Sequence, residues 1–290
     1  MSKIIVIVGP TASGKTKASI ELAKKYNAQI INADSTQIYK EPIITTAKIK
    51  EDEKEGIKHH LIDYVSLDDD YTIFDYQKDG RKILDELISK DQNIIIVGGS
   101  GLYIKALLYN YNLEQTNIKR IDYSSYTNEE LKSIADEIDP NNNIHVNNRQ
   151  RLERYITFFK STGKTISKSD DINTKMYDFI TIGLDANRDE LYKRINDRVE
   201  EMFDEGEILE AKRLRHLKNF SNIIGFRELE MYFNNEITLE EAKDLIKRNT
   251  RRYAKRQYTW FKNQMKDIHW VKVDYKDFNN TLNEINRILE

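Results

Sequence analysis

The run Ile4-Ile5-Val6-Ile7-Val8 is β-branched, unbroken by polar residues and closed by Gly9, which predicts a strand buried on both faces. Ala18, Leu22 and Tyr26 then fall at spacings of four, the inner stripe of a helix. Short apolar runs recur at Ala28–Asn32 (AQIIN) and Asn93–Val97 (NIIIV), with a helical stretch over Asp75–Lys90 between them, striped by Ile83, Leu84, Leu87 and Ile88. Strands alternating with helices predict an α/β fold, a three-layer core of the P-loop NTPase kind with a parallel sheet. In such folds ligands sit beyond the carboxyl ends of the strands. Gly9, Asp34 and Ser100 each lie just past one of those ends.

The pattern changes between Asn112 and Asn147, where the chain turns polar and Asn-rich around one helical stretch, Glu129–Ile138. This segment, 112–147, is expected to be a small helical insertion, with 1–111 and 148–290 forming the core. Further helices are expected over Arg149–Lys160, Arg188–Lys218 (broken near Gly206) and Leu239–Met265. Strands are expected at Phe179–Leu184 and Trp270–Val273.

Composition narrows the picture. With 39% hydrophobic and 32% charged residues, the 290-residue chain reads as globular with a heavily charged surface. Its net charge of -2 leaves any nucleic-acid affinity to a local patch. No cysteine is present, which excludes disulfides, thiolate metal sites and cysteine nucleophiles. The first apolar run is too short for a signal segment and none is long enough to span a membrane. A cytoplasmic protein with no membrane association and no obligate protein partner is expected.

Gly9-Pro10-Thr11-Ala12-Ser13-Gly14-Lys15-Thr16 fits G-x-x-x-x-G-K-[ST], with a strand before it and a helix after it. Its backbone N–H groups and the helix N-terminus would face an anion, Lys15 would add a point charge, and the Thr16 hydroxyl can ligate Mg²⁺. The loop alone recognises polyphosphate without saying whose. Asp34-Ser35-Thr36-Gln37 follows the second strand. Asp34 suits a general base, a water-mediated metal contact, or a helix cap completed by Gln37 three residues on. Gln37 carries an amide able to read an adenine edge through paired hydrogen bonds. Gly98-Gly99-Ser100-Gly101 closes the third strand without the acidic residue many P-loop NTPases place there; Ser100 offers a hydroxyl to a ligand or a cap to the next helix.

From Lys247 to Lys266 eight Lys or Arg occur with no acid, in two adjacent stripes: Lys247-Arg251-Lys255 and Arg248-Arg252-Arg256. Such a face suits a phosphate backbone, a solvated surface being the plainer alternative. Tyr253 is a candidate for stacking on a base and Trp260 for core packing. His59-His60 has no supporting ligands around it and is not read as a metal site.

The ordered set GPTASGKT, DSTQIY, TTAKIK with HHLID, GGSGLYIKALL, STGKTIS, IGFRE and TRRYAKRQYTWF resembles the bacterial-type tRNA dimethylallyltransferase family, from Gly9 to about Trp270. The resemblance implies transfer of a dimethylallyl group from dimethylallyl diphosphate to N6 of the adenosine 3′ to the anticodon, with Mg²⁺ as cofactor. It implies that the P-loop holds a leaving diphosphate, that the position of Asp34 takes the proton, and that Lys15 and Ser100 serve the same centre. It also implies tRNA contacts from Asp34 to Gln37 and from Gln150-Arg151-Leu152-Glu153-Arg154; the charge pattern of the basic stretch adds Arg252, Lys255 and Arg256. Three departures stand out: Ser100 for a threonine, Thr45 for the glycine of a GTAK element, and an abbreviated 112–147 insertion. Transfer to free adenylate, a small-molecule kinase using ATP, and an RNA-binding protein with a degenerate nucleotide site are the competing readings.

Overall fold

The computed structural model describes residues 2–111, 121–163, 165 and 173–290. Part of the expected insertion (112–120) and of the STGKTIS motif (Lys164, Ile166 and Ser167) lies outside them. Two compact units are present, one of Met1–Tyr109 with Lys175–Glu290 and the other of Asn110–Thr174.

In the larger unit the chain runs through β1 (Ile4–Val8), α1 (Lys15–Tyr26), β2 (Ala28–Asn32), β3 (His59–His60), α2 (Ile73–Ser89), β4 (Asn93–Gly98) and α3 (Gly101–Leu108). In the smaller unit lie α4 (Asn128–Ile138) and α5 (Arg149–Thr162). Next come β5 (Ile180–Asp185), α6 (Arg188–Glu205), α7 (Glu207–Leu214), α8 (Phe226–Phe233), α9 (Leu239–Gln264), β6 (Ile268–Lys272) and α10 (Phe278–Leu289). The strands form one parallel sheet in the order β3-β2-β4-β1-β5-β6. The α/β expectation holds.

Successive residues of a strand face opposite sides of the sheet, and both sides are buried. Ile4, Val6, Val8, Ile94 and Ile96 share a core with Leu84, Ile104 and Phe261. Ile5, Ile7, Ile30, Ile95 and Ile182 share the other with Ala18, Leu22 and Ile285. A third core, around Phe220, Phe226 and Ile246, joins α7, α8 and α9. Gly206, at φ +106, ends α6 and starts α7, the break expected of it.

The smaller unit closes on Leu131, Ala135, Leu152, Tyr155 and Ile156, where α4 meets α5. Its span takes in α5, which the composition change ending near Asn147 did not mark, because α5 carries the apolar face that α4 needs. His59 and His60 form the edge strand β3; His59 Nδ1 is 2.8 Å from the Ile57 carbonyl and His60 Nε2 is 2.7 Å from Gln29 Oε1. Among the described residues no group of three or more His, Cys, Asp or Glu could hold a metal, and no helix is long and apolar enough to cross a membrane.

Candidate active site

The carboxyl ends of β1, β2 and β4 open on a cavity of about 670 Å³, lined by the loop from Thr11 to Thr16, by Asp34–Gln37, and by side chains of α6 and α9. Helix α1 starts at its floor. No side chain caps it, and its first turn holds Lys15 and Lys17 but no acid. A structural helix start is normally capped and acidic. This one leaves its N–H groups and positive end to an anion.

Lys15 is half-buried and donates from Nζ to the Pro10 carbonyl at 2.7 Å. Burial pushes its ammonium down to about 8; the carboxylate of Asp34 opposes the shift and the guanidinium of Arg198 adds to it. Arg194 and Arg198, one turn apart on α6, also line the cavity, and among the described residues no carboxylate ion-pairs either of them. Desolvation and the neighbouring Arg194 hold Arg198 below the ordinary guanidinium range. Three cations short of counter-charge in one cavity make a setting suited to an anion. Tyr275 braces them, its hydroxyl donating to the Ala12 carbonyl at 3.1 Å and its ring 4.6 Å from the Arg194 guanidinium.

Not every loop atom is available to a ligand. The Thr11 N–H is spent on Gln257 Oε1 at 2.8 Å, and the Ala12 and Ser13 side chains are buried. Ser13 Oγ has no partner among the described residues.

Across the cavity, Asp34 is half-buried and Oδ1 accepts from the Thr36 N–H (2.9 Å) and the Thr36 hydroxyl (2.8 Å). Residues 35–38 form a turn, not a helix, so of the three readings of Asp34 the helix cap completed by Gln37 is not there. Asp34 Oδ2 has no protein partner among the described residues and remains open to a ligand. Gln37 departs from expectation as well. Its Nε2 donates to the carbonyls of Thr46 (3.0 Å) and Ala47 (3.2 Å), so the paired read of an adenine edge is unavailable and only Oε1 is open. Ser100 makes no cap bond to α3; its Oγ accepts from the Ser35 N–H (2.9 Å) and donates to Ser35 Oγ (3.1 Å), tying the β4 loop to the Asp34 turn.

The glycines of this loop have steric reasons. A Cβ on Gly98 would sit 2.0 Å from the Ala33 carbonyl oxygen, on Gly99 2.1 Å from Gln257 Nε2, and on Gly101 2.0 Å from the Trp260 ring. Gly98 lets the ends of β2 and β4 close up, and Gly99 and Gly101 admit α9, whose Gln257 bridges the Thr11 N–H and the Gly99 carbonyl (3.1 Å). Trp260 is therefore a packing residue. Tyr253 lines the cavity, and burial, with the charge of Asp34 nearby, pushes its phenol up to about 12.

The basic stretch divides by face. Lys247 ion-pairs Glu200 and Arg251 donates to Asn196 at 2.5 Å, so both are spent on α6. Arg248, Arg252, Lys255 and Arg256 are exposed. In the smaller unit, Gln150, Arg151 and Arg154 are exposed, and Glu153 pairs with Arg149 at 2.7 Å. Leu152 is a correction: it is fully buried in that unit's core and presents nothing to a ligand.

Arg194, Arg198, Gln257 and Tyr275 are absent from the sequence-based site, whereas Tyr253, expected to stack on a base, does line the cavity. The one available signal was the pair of arginines four residues apart, which a charged helix disguises as solvated surface.

Residues 37–264 match the family model described as IPP transferase. The chain is 42% identical over 283 residues, 93% of its length and 91% of the relative's, to the tRNA dimethylallyltransferase of Enterococcus faecalis. The crystal structure of a tRNA isopentenylpyrophosphate transferase from Bacillus halodurans superposes with a TM-score of 0.76 at 37% identity, covering 100% of this chain and 96% of that one. A eukaryotic dimethylallyltransferase acting on tRNA superposes with a TM-score of 0.84 at 26% identity, covering 99% and 78%. Arrived at from both the sequence and the fold, the conclusion is that this chain belongs to the IPP transferase family.

Proposed function

We propose that the chain transfers a dimethylallyl group from dimethylallyl diphosphate to N6 of the adenosine 3′ to the anticodon of tRNA, releasing diphosphate. The observation that carries this reading is one cavity with an uncapped helix start and three under-compensated cations on one side and the open Oδ2 of Asp34 on the other. As the allylic C–O bond breaks, charge grows on the leaving diphosphate, where Lys15, Arg198 and the free loop amides would neutralise it. As N6 bonds to the allylic carbon it loses a proton, which Asp34 Oδ2 would accept. Ser100 and Gln257 would hold the Asp34 turn and the phosphate loop in register.

Mg²⁺ fits the donor set. The Thr16 hydroxyl lines the cavity, and Ser13 Oγ is a buried oxygen with no partner. A hard cation sharing one hydroxyl with phosphate oxygens needs no protein cage. Bound there, it would supply positive charge to the diphosphate oxygens.

RNA would contact the exposed Arg252, Lys255 and Arg256 and, from the smaller unit, Gln150, Arg151 and Arg154. Ser35 and Thr36 would flank the base beside Asp34. We assign the smaller unit, the 112–147 segment included, to gripping the anticodon stem. A cytoplasmic location goes with this substrate. Free adenylate or a phosphoryl acceptor is less well supported, because the relatives are named for tRNA.

Incubation with Mg²⁺, dimethylallyl diphosphate and an anticodon stem-loop, followed by nucleoside mass, tests the proposal. Prenylated adenosine in the RNA is expected. Modified AMP without modified RNA, or phosphate transfer from ATP without prenylation, would overturn it.

A further inference from the structure

Two glutamates in the first turn of α7 are buried, Glu207 completely and Glu210 nearly so. Glu210 accepts three backbone N–H groups in a row, those of Ile43 (2.7 Å), Ile44 (3.0 Å) and Thr45 (3.0 Å). Glu207 Oε1 accepts from the Thr45 hydroxyl at 2.8 Å. The segment after Pro42 is therefore fastened to α7. Its other end is fastened to the acceptor side of the cavity, through the Thr46 and Ala47 carbonyls and the amide of Gln37. Thr45 stands where the resembled motif has glycine, and a glycine there would leave Glu207 without its one hydrogen-bond donor. Gly225 makes the room: a Cβ at that position would lie 2.6 Å from Glu207 Oε1 and 3.1 Å from Thr45 Cγ2. Glu207 Oε2 has no partner among the described residues, although Glu207 lines the cavity.

We propose that Glu207 is a positioning residue which, through Thr45, holds the 43–47 strap so that Gln37 presents its open Oε1 to the acceptor base. Glu207 touches no reacting atom; it acts through Thr45, then through the strap carbonyls, then through Gln37. Glu210 on the same helix and Glu228 on α8 both face Glu207 as carboxylates, the positive Arg227 is already paired with Glu228, and Asn249 of α9 donates to Glu228 as well. Burial with these neighbours pushes the Glu207 carboxyl up to about 7.

The inference rests on the proposed tRNA reaction, and the test separates the two. Steady-state kinetics on a stem-loop acceptor, with donor saturating, would be run for wild type and for Glu207→Ala, Glu207→Gln, Thr45→Val and Thr45→Ser, alongside binding of inorganic diphosphate. Glu207→Ala and Thr45→Val are each expected to raise the acceptor KM about tenfold, the scale of one buried hydrogen bond, with diphosphate affinity retained. The double variant should be no worse than the poorer single one. Thr45→Ser and Glu207→Gln keep the hydroxyl and the accepting oxygen and should recover most of the loss. Should Glu207→Ala fail to fold, Thr45→Val against Thr45→Ser carries the same comparison. An unchanged acceptor KM in both Glu207→Ala and Thr45→Val, or an equal loss of diphosphate affinity, would overturn the inference. An inactive wild type would instead overturn the reaction.

Discussion

Lys15 sits in a cavity that depresses its ammonium to about 8, so anion binding should be linked to proton uptake. With diphosphate bound, the opposite charge restores the lysine to the protonated form. The lysine pKa is thus higher in the complex than in the free site, so affinity is complete below about 8 and falls as pH rises through it. A free-site value near 8 leaves about nine-tenths of Lys15 charged at pH 7 and about one-tenth at pH 9, hence ~10-fold weaker binding, or ~1.4 kcal/mol. Near pH 8 about half a proton should be taken up per diphosphate bound. Calorimetric titration with inorganic diphosphate and Mg²⁺, in two buffers of different ionisation enthalpy, measures both quantities. The ligand and the metal titrate too, so Lys15→Arg is the control: its guanidinium stays charged throughout. The ratio of wild-type to Lys15→Arg affinity should drop tenfold across the range. Parallel pH curves for the two proteins would refute the reasoning, and with it the view that burial governs Lys15 in the free site.

Asp34→Asn should cut turnover by at least about a hundredfold, the scale of one general base, while RNA affinity stays within about twofold by filter binding. Lost RNA binding would make Asp34 structural. Reversing Arg252 and Arg256 together to Glu should lower RNA affinity and flatten its slope against salt by about two counterions, with diphosphate binding kept; an unaltered slope would remove this helix face from the RNA contact. Gly98→Ala drives a Cβ into the Ala33 backbone and should cost about 3 kcal/mol in chemical denaturation, whereas a cost under about 1 kcal/mol would mean the β2 and β4 ends can part.

The strands β1, β2 and β4 were readable because each is a short β-branched run buried on both faces, a pattern local sequence can carry. Strand β3 was not: two histidines pair only with Ile30 and Ile31 at the sheet edge, and nothing apolar announces them. The closing helix α10, with Leu282, Ile285 and Leu289 on its inner side, went unread behind the expected last strand. At the site, the P-loop and Asp34 were visible as motifs, but the steric reason for Gly99 lies 158 residues away in Gln257. The amide of Gln37 was misjudged for a similar reason, since its carbonyl partners arrive on a strap whose anchor is α7. Lys247 and Arg251 looked free only because Glu200 and Asn196 belong to another helix.

Gln257 has a wider consequence. It lies one residue from Arg256 on α9, and its side chain joins the loop that would cradle diphosphate to the loop that follows β4. On the proposed assignment, RNA pulling on the outer face of α9 and diphosphate settling against Thr11 strain or relax one shared joint. Whatever free energy the first ligand contributes to the fit of the second, the second must return to the first. The two substrates should therefore be thermodynamically coupled, with the coupling vanishing when that single amide is removed.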